Sequence, residues 1–356
     1  MKIPGHSTNS SADSSINTSA DSSINSLSNR SSYRFFYLGL TAAGIAVSLL
    51  VHFNLLSRYY QQIFLFICIN VIMTVSLNLI NGFTGEFSIG HAAFMAIGAY
   101  TSCLVTTILF SSASWPWFWA VPLFLVSIIL GGLVSFALGY LIGLPILRLK
   151  GDYLAIVTLA LVEVVRSAIK LSDELAAVLG RLHLVTLSQV VQKIGGPRGI
   201  GQIPGFTNIF WALGFTLLAV ASINRLLHSS YGRVWLSLRE DHIAAEMMGV
   251  DLTRYKVLSF AIASFWAGLG GGLYAHTLRY IHPDNFNFVK SIEYLVYLYL
   301  GGMSSLWGSI IASGSMTFLL EFLRMANLQQ WRLVIYPVVL ILIMLRKPEG
   351  LFKRDL

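Results

Sequence analysis

Four segments of this 356-residue chain carry residue types that can do more than pack. The first runs from Asn81 to His91 (NGFTGEFSIGH), where glycines, hydroxyls, a carboxylate and an imidazole interrupt an apolar stretch. Irregular backbone survives at membrane depth only where protein or a water-filled cavity satisfies its N–H and C=O groups, so Asn81, Glu86, Ser88 and His91 are candidates to line a path for a polar solute. The plainer alternative is that Glu86 and Ser88 cap a helix at the membrane edge while His91 packs against a neighbour. The second segment is Gly151-Asp152-Tyr153 followed by Thr158, a further path candidate, and by Glu163 and Arg166. Three residues apart on one helix face, these two charges can neutralise each other, a cheaper account than substrate contact. The third is a polar excursion, Ser229 to Phe260. The fourth, His276, His282 and Asp284, matches no standard metal-ligand spacing and reads as solvated loop residues.

The polar excursion reads as two short helices joined at Gly249-Val250, with Gly249 a natural C-cap and Asp251 able to cap the helix that follows. Ile243, Ala244, Met247 and Met248 make an apolar stripe, while Arg239, Glu240, Asp241 and Glu246 stay polar. Such a helix either lies on lipid headgroups or docks into a partner's groove, and methionines suit the second use because they adapt to a partner surface.

The elements that position these segments must be membrane helices. Hydrophobic residues make up 55% of the chain and charged ones 11%, against about 25% charged in ordinary soluble domains. Too few ionisable groups remain to cover a soluble core, and apolar runs of about twenty residues without alternation exclude an outer-membrane barrel. The expected class is all-α, a polytopic bundle of about 8–10 spans over residues 33–356, with 229–256 a cytoplasmic loop. Spans are expected near Phe35–Phe53, Gln61–Ile80, Phe87–Phe110, Trp117–Gly143, Tyr153–Ile169, Asn208–Leu227, Val257–Thr277 and Leu333–Leu345. Ser291–Leu323, broken by Gly301-Gly302 and Gly308, is too long for one pass and fits a full helix plus a short or re-entrant piece.

Basic residues lie before the first span (Arg30, Arg34), after Gly143 (Arg148, Lys150), between Arg225 and Lys256, and at the C-terminus (Arg346, Lys347, Lys353, Arg354), which places all four regions on the cytoplasmic side. Parity then requires Ser291–Leu323 to cross twice. The outer loop Arg166–Thr207, itself basic, stands against this scheme. Residues 1–32 are Ser/Asn-rich, contain a duplicated SADSSIN unit and lack the basic start and apolar core of a signal peptide; they are expected to be disordered. Gly139/Gly143 and Gly268/Gly272, four apart within spans, read as helix-packing sites. Cys68 and Cys103 lie in apolar runs and offer neither a disulfide framework nor a metal motif.

Six ordered blocks carry a family resemblance. They are NGFTGEFSIGHAAFMAIGAY (81–100), LRLKGDYLAIVTLALVEVVR (147–166), GGPRGI (195–200), YGRVWLSLREDHIAAEMMGVDLTRYK (231–256), AGLGGGLYA (267–275) and SIEYLVYLYLGGMSSLWGS (291–309). From about Ser57 to Phe352 the chain resembles the M-type permease subunit of branched-chain amino acid ABC importers. It departs from that pattern in its Ser/Asn tail and in Ile194, which opens a block that usually begins TGGPxGI.

The resemblance implies a multi-pass protein of the bacterial inner membrane that works with a second homologous permease, two cytoplasmic ATPases and a periplasmic or other extracytoplasmic amino-acid-binding protein. It further implies that Arg239, Glu240, Ala244, Ala245, Glu246, Met247, Met248 and Gly249 belong to the ATPase-coupling loop. No GxxxxGK[ST] phosphate loop occurs, so ATP would be bound by the partners; the chain is expected to be no enzyme and to need no cofactor, metal or nucleic acid. Urea or short amides are the nearest rival substrates. A secondary transporter uncoupled from ATP is a second class, but the only carboxylates within reach of apolar runs, Glu163, Glu293 and Glu321, form no evident acid pair.

Overall fold

The computed structural model describes residues 58–112, 117–149, 151–181 and 185–326, with scattered positions from 329 to 351. The Ser/Asn tail, the expected span Phe35–Phe53, part of Leu333–Leu345, and Lys150, Lys353 and Arg354 lie outside the described residues. All described positions belong to one compact unit, Leu56–Leu356. Among them the only strand-like feature is an isolated bridge between Ile200 and Ile281. Among the described residues six helices are long and apolar enough to cross a membrane by length and composition.

Helix α1 (Arg58–Asn78) continues through a π-turn, Leu79–Thr84. An extended stretch then leads to α2 (His91–Ser112), which is followed by α3 (Trp117–Ile146) and α4 (Asp152–Lys170). Two short helices, α5 (Ser172–Arg181) and α6 (Val185–Gln192), and a 3-10 turn at Gly196–Arg198 precede α7 (Ile209–Leu227). The polar excursion forms α8 (Ser230–Glu240) and α9 (His242–Met247), and α10 (Leu252–Leu278) follows. A 3-10 turn at Pro283–Phe286 leads into α11 (Phe288–Gly301) and α12 (Leu306–Met325). The end of the bundle carrying α8 and α9 is called the near end below.

Several boundaries differ from expectation. The third expected span starts at His91 rather than Phe87, because residues 85–90 are extended. The seventh starts at Leu252 rather than Val257: Asp251 accepts a hydrogen bond from the Arg254 N–H, so Arg254 and Lys256 join the helix. The excursion breaks once more than expected, at Asp241, whose carboxylate caps α9 by accepting from the N–H groups of Ile243 and Ala244. α3 runs past Gly143 to Ile146 with Pro145 inside it. The basic loop 166–207 contains the end of α4 and two further helices.

α10 is the axle of the bundle, packed against α1, α2 and α3. Glycines let these helices approach closely, as the four-residue spacing predicted: a Cβ on Gly98 of α2 would lie 2.2 Å from the Gly268 carbonyl oxygen of α10, and one on Gly139 of α3 would lie 2.5 Å from Ser264 Oγ. α3 and α7 instead turn apolar side chains such as Ile129, Leu133, Leu141, Phe210 and Leu218 outward, as lipid-facing helices do.

Ser291–Leu323 does run both ways. Along α12, Ser305 lies beside Asn78, Thr317 beside Asn70 and Glu321 beside Tyr59, so α12 is antiparallel to α1. α11 runs the other way and, with its 14 residues, extends only about 21 Å, too short for a bilayer core of about 30 Å.

Candidate functional site

At the near end the chain breaks two helices side by side. α1 passes into its π-turn and reverses at Gly85, whose φ of +78° suits glycine. His91, where α2 begins, places Nε2 2.7 Å from Ser76 Oγ. Ser76 is eight residues before Thr84, so the extended stretch climbs about 12 Å back into the bundle before α2 starts.

Polar side chains satisfy the exposed backbone of that climb. The Gly85 and Glu86 N–H groups both donate to the Ile80 carbonyl. Asn81 clamps Ser88 twice: its Nδ2 donates to the Ser88 carbonyl at 3.1 Å and its Oδ1 accepts from the Ser88 N–H at 3.3 Å. The Ile89 N–H donates to Thr158 Oγ1 on α4 at 3.0 Å, and the Ala92 N–H to Ser291 Oγ on α11 at 3.0 Å. The segment thus ties together α1, α2, α4 and α11, and every hydroxyl or amide named here answers a backbone group that lipid would leave unpaired.

The second break, between α11 and α12, is held by Asn78. Its Oδ1 accepts from the Ser304 N–H at 3.1 Å, and its Nδ2 donates to the Ser305 carbonyl at 3.0 Å and to Ser309 Oγ at 2.9 Å. Ser304 Oγ donates to the Gly82 carbonyl at 2.7 Å, closing one break onto the other. A Cβ on Gly82 would fall 1.7 Å from Asn78 Oδ1 and 2.8 Å from the Ser304 nitrogen, which is why glycine stands there.

The climb also meets the polar excursion. Glu86 pairs with Lys256 in the first turns of α10, both side chains almost fully buried, and a Cβ on Gly85 would stand 2.9 Å from Arg239 Cγ on α8. Arg239 therefore faces the bundle. Trp235 on α8, fully buried, donates from Nε1 to the Tyr255 carbonyl at 3.0 Å and locks α8 to α10. Beyond this anchored half, Ile243, Met247 and Met248 on α9 are 72%, 84% and 84% exposed. Ala244, Glu240 and Glu246 are exposed as well, and Gly249 holds φ +82°. Ala245 turns inward and is buried, so of the expected coupling residues Arg239 and Ala245 support the loop from inside while the others present its surface.

The candidate path residues Asn81, Glu86, Ser88, His91 and Thr158 are all buried, each with a protein partner. The structure gathers them around the stretch 81–91, where their partners are backbone groups, the Ser76 hydroxyl and the Lys256 ammonium. Asn78, Ser291 and Ser304 complete the arrangement and were not singled out from the sequence. Their signal was there: Asn70, Thr74 and Asn78, four apart in an apolar run, put a polar stripe on one face of α1.

Farther from the near end, Arg166 bonds Glu163 at 2.6 Å as its spacing predicted, and it also bonds Asp284, which Lys170 reaches at 2.7 Å. Lys170 and Arg166 hold the Asp284 carboxyl below the usual carboxylate range. His282 caps its 3-10 turn by accepting from the Asp284 N–H. His276 is not a solvated loop residue: it lies buried in α10, edge-on to Phe124, its Nδ1 2.8 Å from the Gly272 carbonyl. Among the described residues no group of three or more His, Cys, Asp or Glu side chains is arranged to hold a metal.

The family model described as branched-chain amino acid transport system / permease component matches residues 59–344. The LivM permease protein of the high-affinity branched-chain amino acid transport system of Salmonella typhimurium is 32% identical, covering 80% of this chain and 67% of its own length. The Escherichia coli LivM is 31% identical with the same coverage. Similarity extends at 21% identity to the LivH permease protein of Salmonella typhimurium, over 80% of this chain and 91% of that protein. No solved structure matches.

Proposed function

The chain belongs to the branched-chain amino acid transport permease family, and from that premise we propose that it is the passive translocating subunit of an ABC importer, carrying leucine, isoleucine or valine inward across the bacterial inner membrane. It is a multi-pass membrane protein and a transport permease. Its likeness to both LivM and LivH supports a partnership with a second permease of the same family. Two ATPases at the near end, which is then cytoplasmic, supply the energy and bind the ATP, and an extracytoplasmic binding protein delivers the amino acid.

The observation that carries this reading is the exposure of Ile243, Met247 and Met248 on a helix capped by Asp241 and ended at Gly249, next in the chain to α8, which Trp235 ties to α10. An apolar, adaptable face anchored to the broken-helix core is what a motor must grip. Movement of α8 and α9 reaches residues 85–90 through Arg239 and Lys256, and from there reaches α4 and α11 through Thr158 and Ser291. In this reading the path candidates are the linkage that moves the path walls. The carboxylates an ion-coupled carrier would use are engaged otherwise: Glu163 with Arg166, Glu293 with Lys290 and Tyr297, Glu321 with Tyr59 and Arg324.

Reconstitution tests it. Proteoliposomes holding this chain, the second permease and the ATPases, with the binding protein on the receptor side, are expected to accumulate leucine on addition of ATP and not on imposition of a proton gradient. Uphill uptake driven by the gradient without ATP would refute the proposal.

A further inference from the structure

α1, α10, α11 and α12 enclose a cleft of about 200 Å³ that takes no part in the broken-helix core or the coupling face. Two cations and two carboxylates look into it. Lys290 Nζ lies 3.1 Å from Glu293 Oε2 and 5.3 Å from the Tyr294 ring; the Glu293 side chain is only 4% exposed and also accepts from the Tyr297 hydroxyl at 2.6 Å. Glu321 accepts from the Tyr59 hydroxyl at 2.5 Å and stands 3.3 Å from Arg324 Nη1. Phe66, Tyr274 and Leu320 supply apolar walls.

The balance of charge restricts the occupant. A simple anion would meet Glu293 and Glu321, and a simple cation would meet Lys290 and Arg324, each a like-charge contact. A solute bearing both charges suits each half. Its anionic group is drawn to Lys290, which sits in the first turn of α11 where the helix dipole adds positive potential. Its ammonium is drawn to Glu321, away from Lys290, whose Nζ lies 6.0 Å from the centre of the Tyr274 ring, and an apolar side chain can rest on Phe66 and Leu320. At about 30 Å³ per water the volume equals roughly seven waters, room for one small solute and short of the 300 Å³ or more typical of drug-sized pockets.

We propose that this cleft binds a small zwitterion with an apolar side chain, a free α-amino acid, within the permease subunit itself. The proposal rests on the permease reading and adds a substrate-class site to a chain whose selectivity that reading leaves to the binding protein. An ethanolamine lipid headgroup carries the same pair of charges, so lipid composition is an arm of the test.

The complex of both permeases and the ATPases, purified without the binding protein in nanodiscs of phosphatidylcholine alone, is titrated with radiolabelled leucine by equilibrium dialysis. The same preparation, with the binding protein added, is assayed for ATP-driven uptake in proteoliposomes. Saturable binding is expected, weakened at least tenfold both by the double variant Lys290→Met/Glu293→Gln, which removes both charges so that neither is left buried alone, and by Leu320→Trp, which fills the cleft. Co-purification with the ATPases reports folding of each variant, and if one fails to assemble the other decides. Binding within threefold of wild type in an assembled variant overturns the proposal, as does a wild-type complex that transports leucine yet binds none. Abolition of leucine binding by phosphatidylethanolamine makes the cleft a headgroup seat and likewise overturns it. Failure of wild-type uptake is a separate result and counts against the permease reading.

Discussion

The Glu86 carboxylate and the Lys256 ammonium form a buried ion pair that joins the extended stretch inside the bundle to the first turns of the central helix. Helices α8 and α9 and their caps lie between the two residues along the chain, so the pair closes the polar excursion against the core. Removing one partner leaves a buried charge unpaired, a loss of about 3–5 kcal/mol in comparable pairs. Glu86→Gln and Lys256→Met are each expected to lower the thermal stability of the purified complex, and the double variant is expected to recover most of the loss. Additive losses in a melting series would mean that the pair is not coupled.

The exposed face of α9 is expected to hold the ATPases. Met247→Asp with Met248→Asp should abolish their co-purification while the permease still inserts in the membrane, because the substituted side chains touch nothing in their own chain that needs to be apolar. Gly249→Val should weaken the same association by straining a left-handed residue that ends the helix. Retention of the ATPases by the double aspartate variant would remove the docking role.

Gly82 is expected to tolerate no side chain. Gly82→Ala drives a methyl into Asn78 Oδ1 and the Ser304 backbone, so little folded permease should be recovered on size-exclusion chromatography. Adding Asn78→Ala should not rescue it, since the Ser304 contact is with backbone; a rescued double variant would place the constraint on Asn78 alone.

Asp284 predicts a pH response at the end of α4. Its carboxyl is held low by Lys170 and Arg166, so the stabilisation is present above the ordinary aspartate value of about 4 and is lost as pH falls through the lower folded value. Hydrogen exchange in residues 279–287 is expected to quicken over that acid window in the wild type. In Asp284→Asn it should be fast already at neutral pH and flat with acidification; an unchanged profile would show that the bridges hold nothing in place.

Much was legible in the chain before any fold was considered. Runs of about twenty apolar residues leave helices as the means of spanning a bilayer, because a backbone in lipid must satisfy its own hydrogen bonds. Gly268 and Gly139 announced close helix contacts by their spacing, and Asp251 and Gly249 announced a cap and a stop. His276 shows where such reading fails: a polar type near a span's end suggested solvent, and only the packing of α3 on α10 puts Phe124 beside it.

Local pattern thus determined what each stretch must be, a span, a cap, a turn or an apolar face, since those choices depend on neighbours within a few residues and on the surrounding medium. Which distant groups would meet was decided by the tertiary structure alone. Asn78 and Ser304 are 226 positions apart, and Glu86 and Lys256 approach only because α1, α8 and α10 converge at one end of the bundle. Hydrogen bonds and ion pairs reach a few ångströms, so their partners are set by how helices pack rather than by the order of residues along the chain.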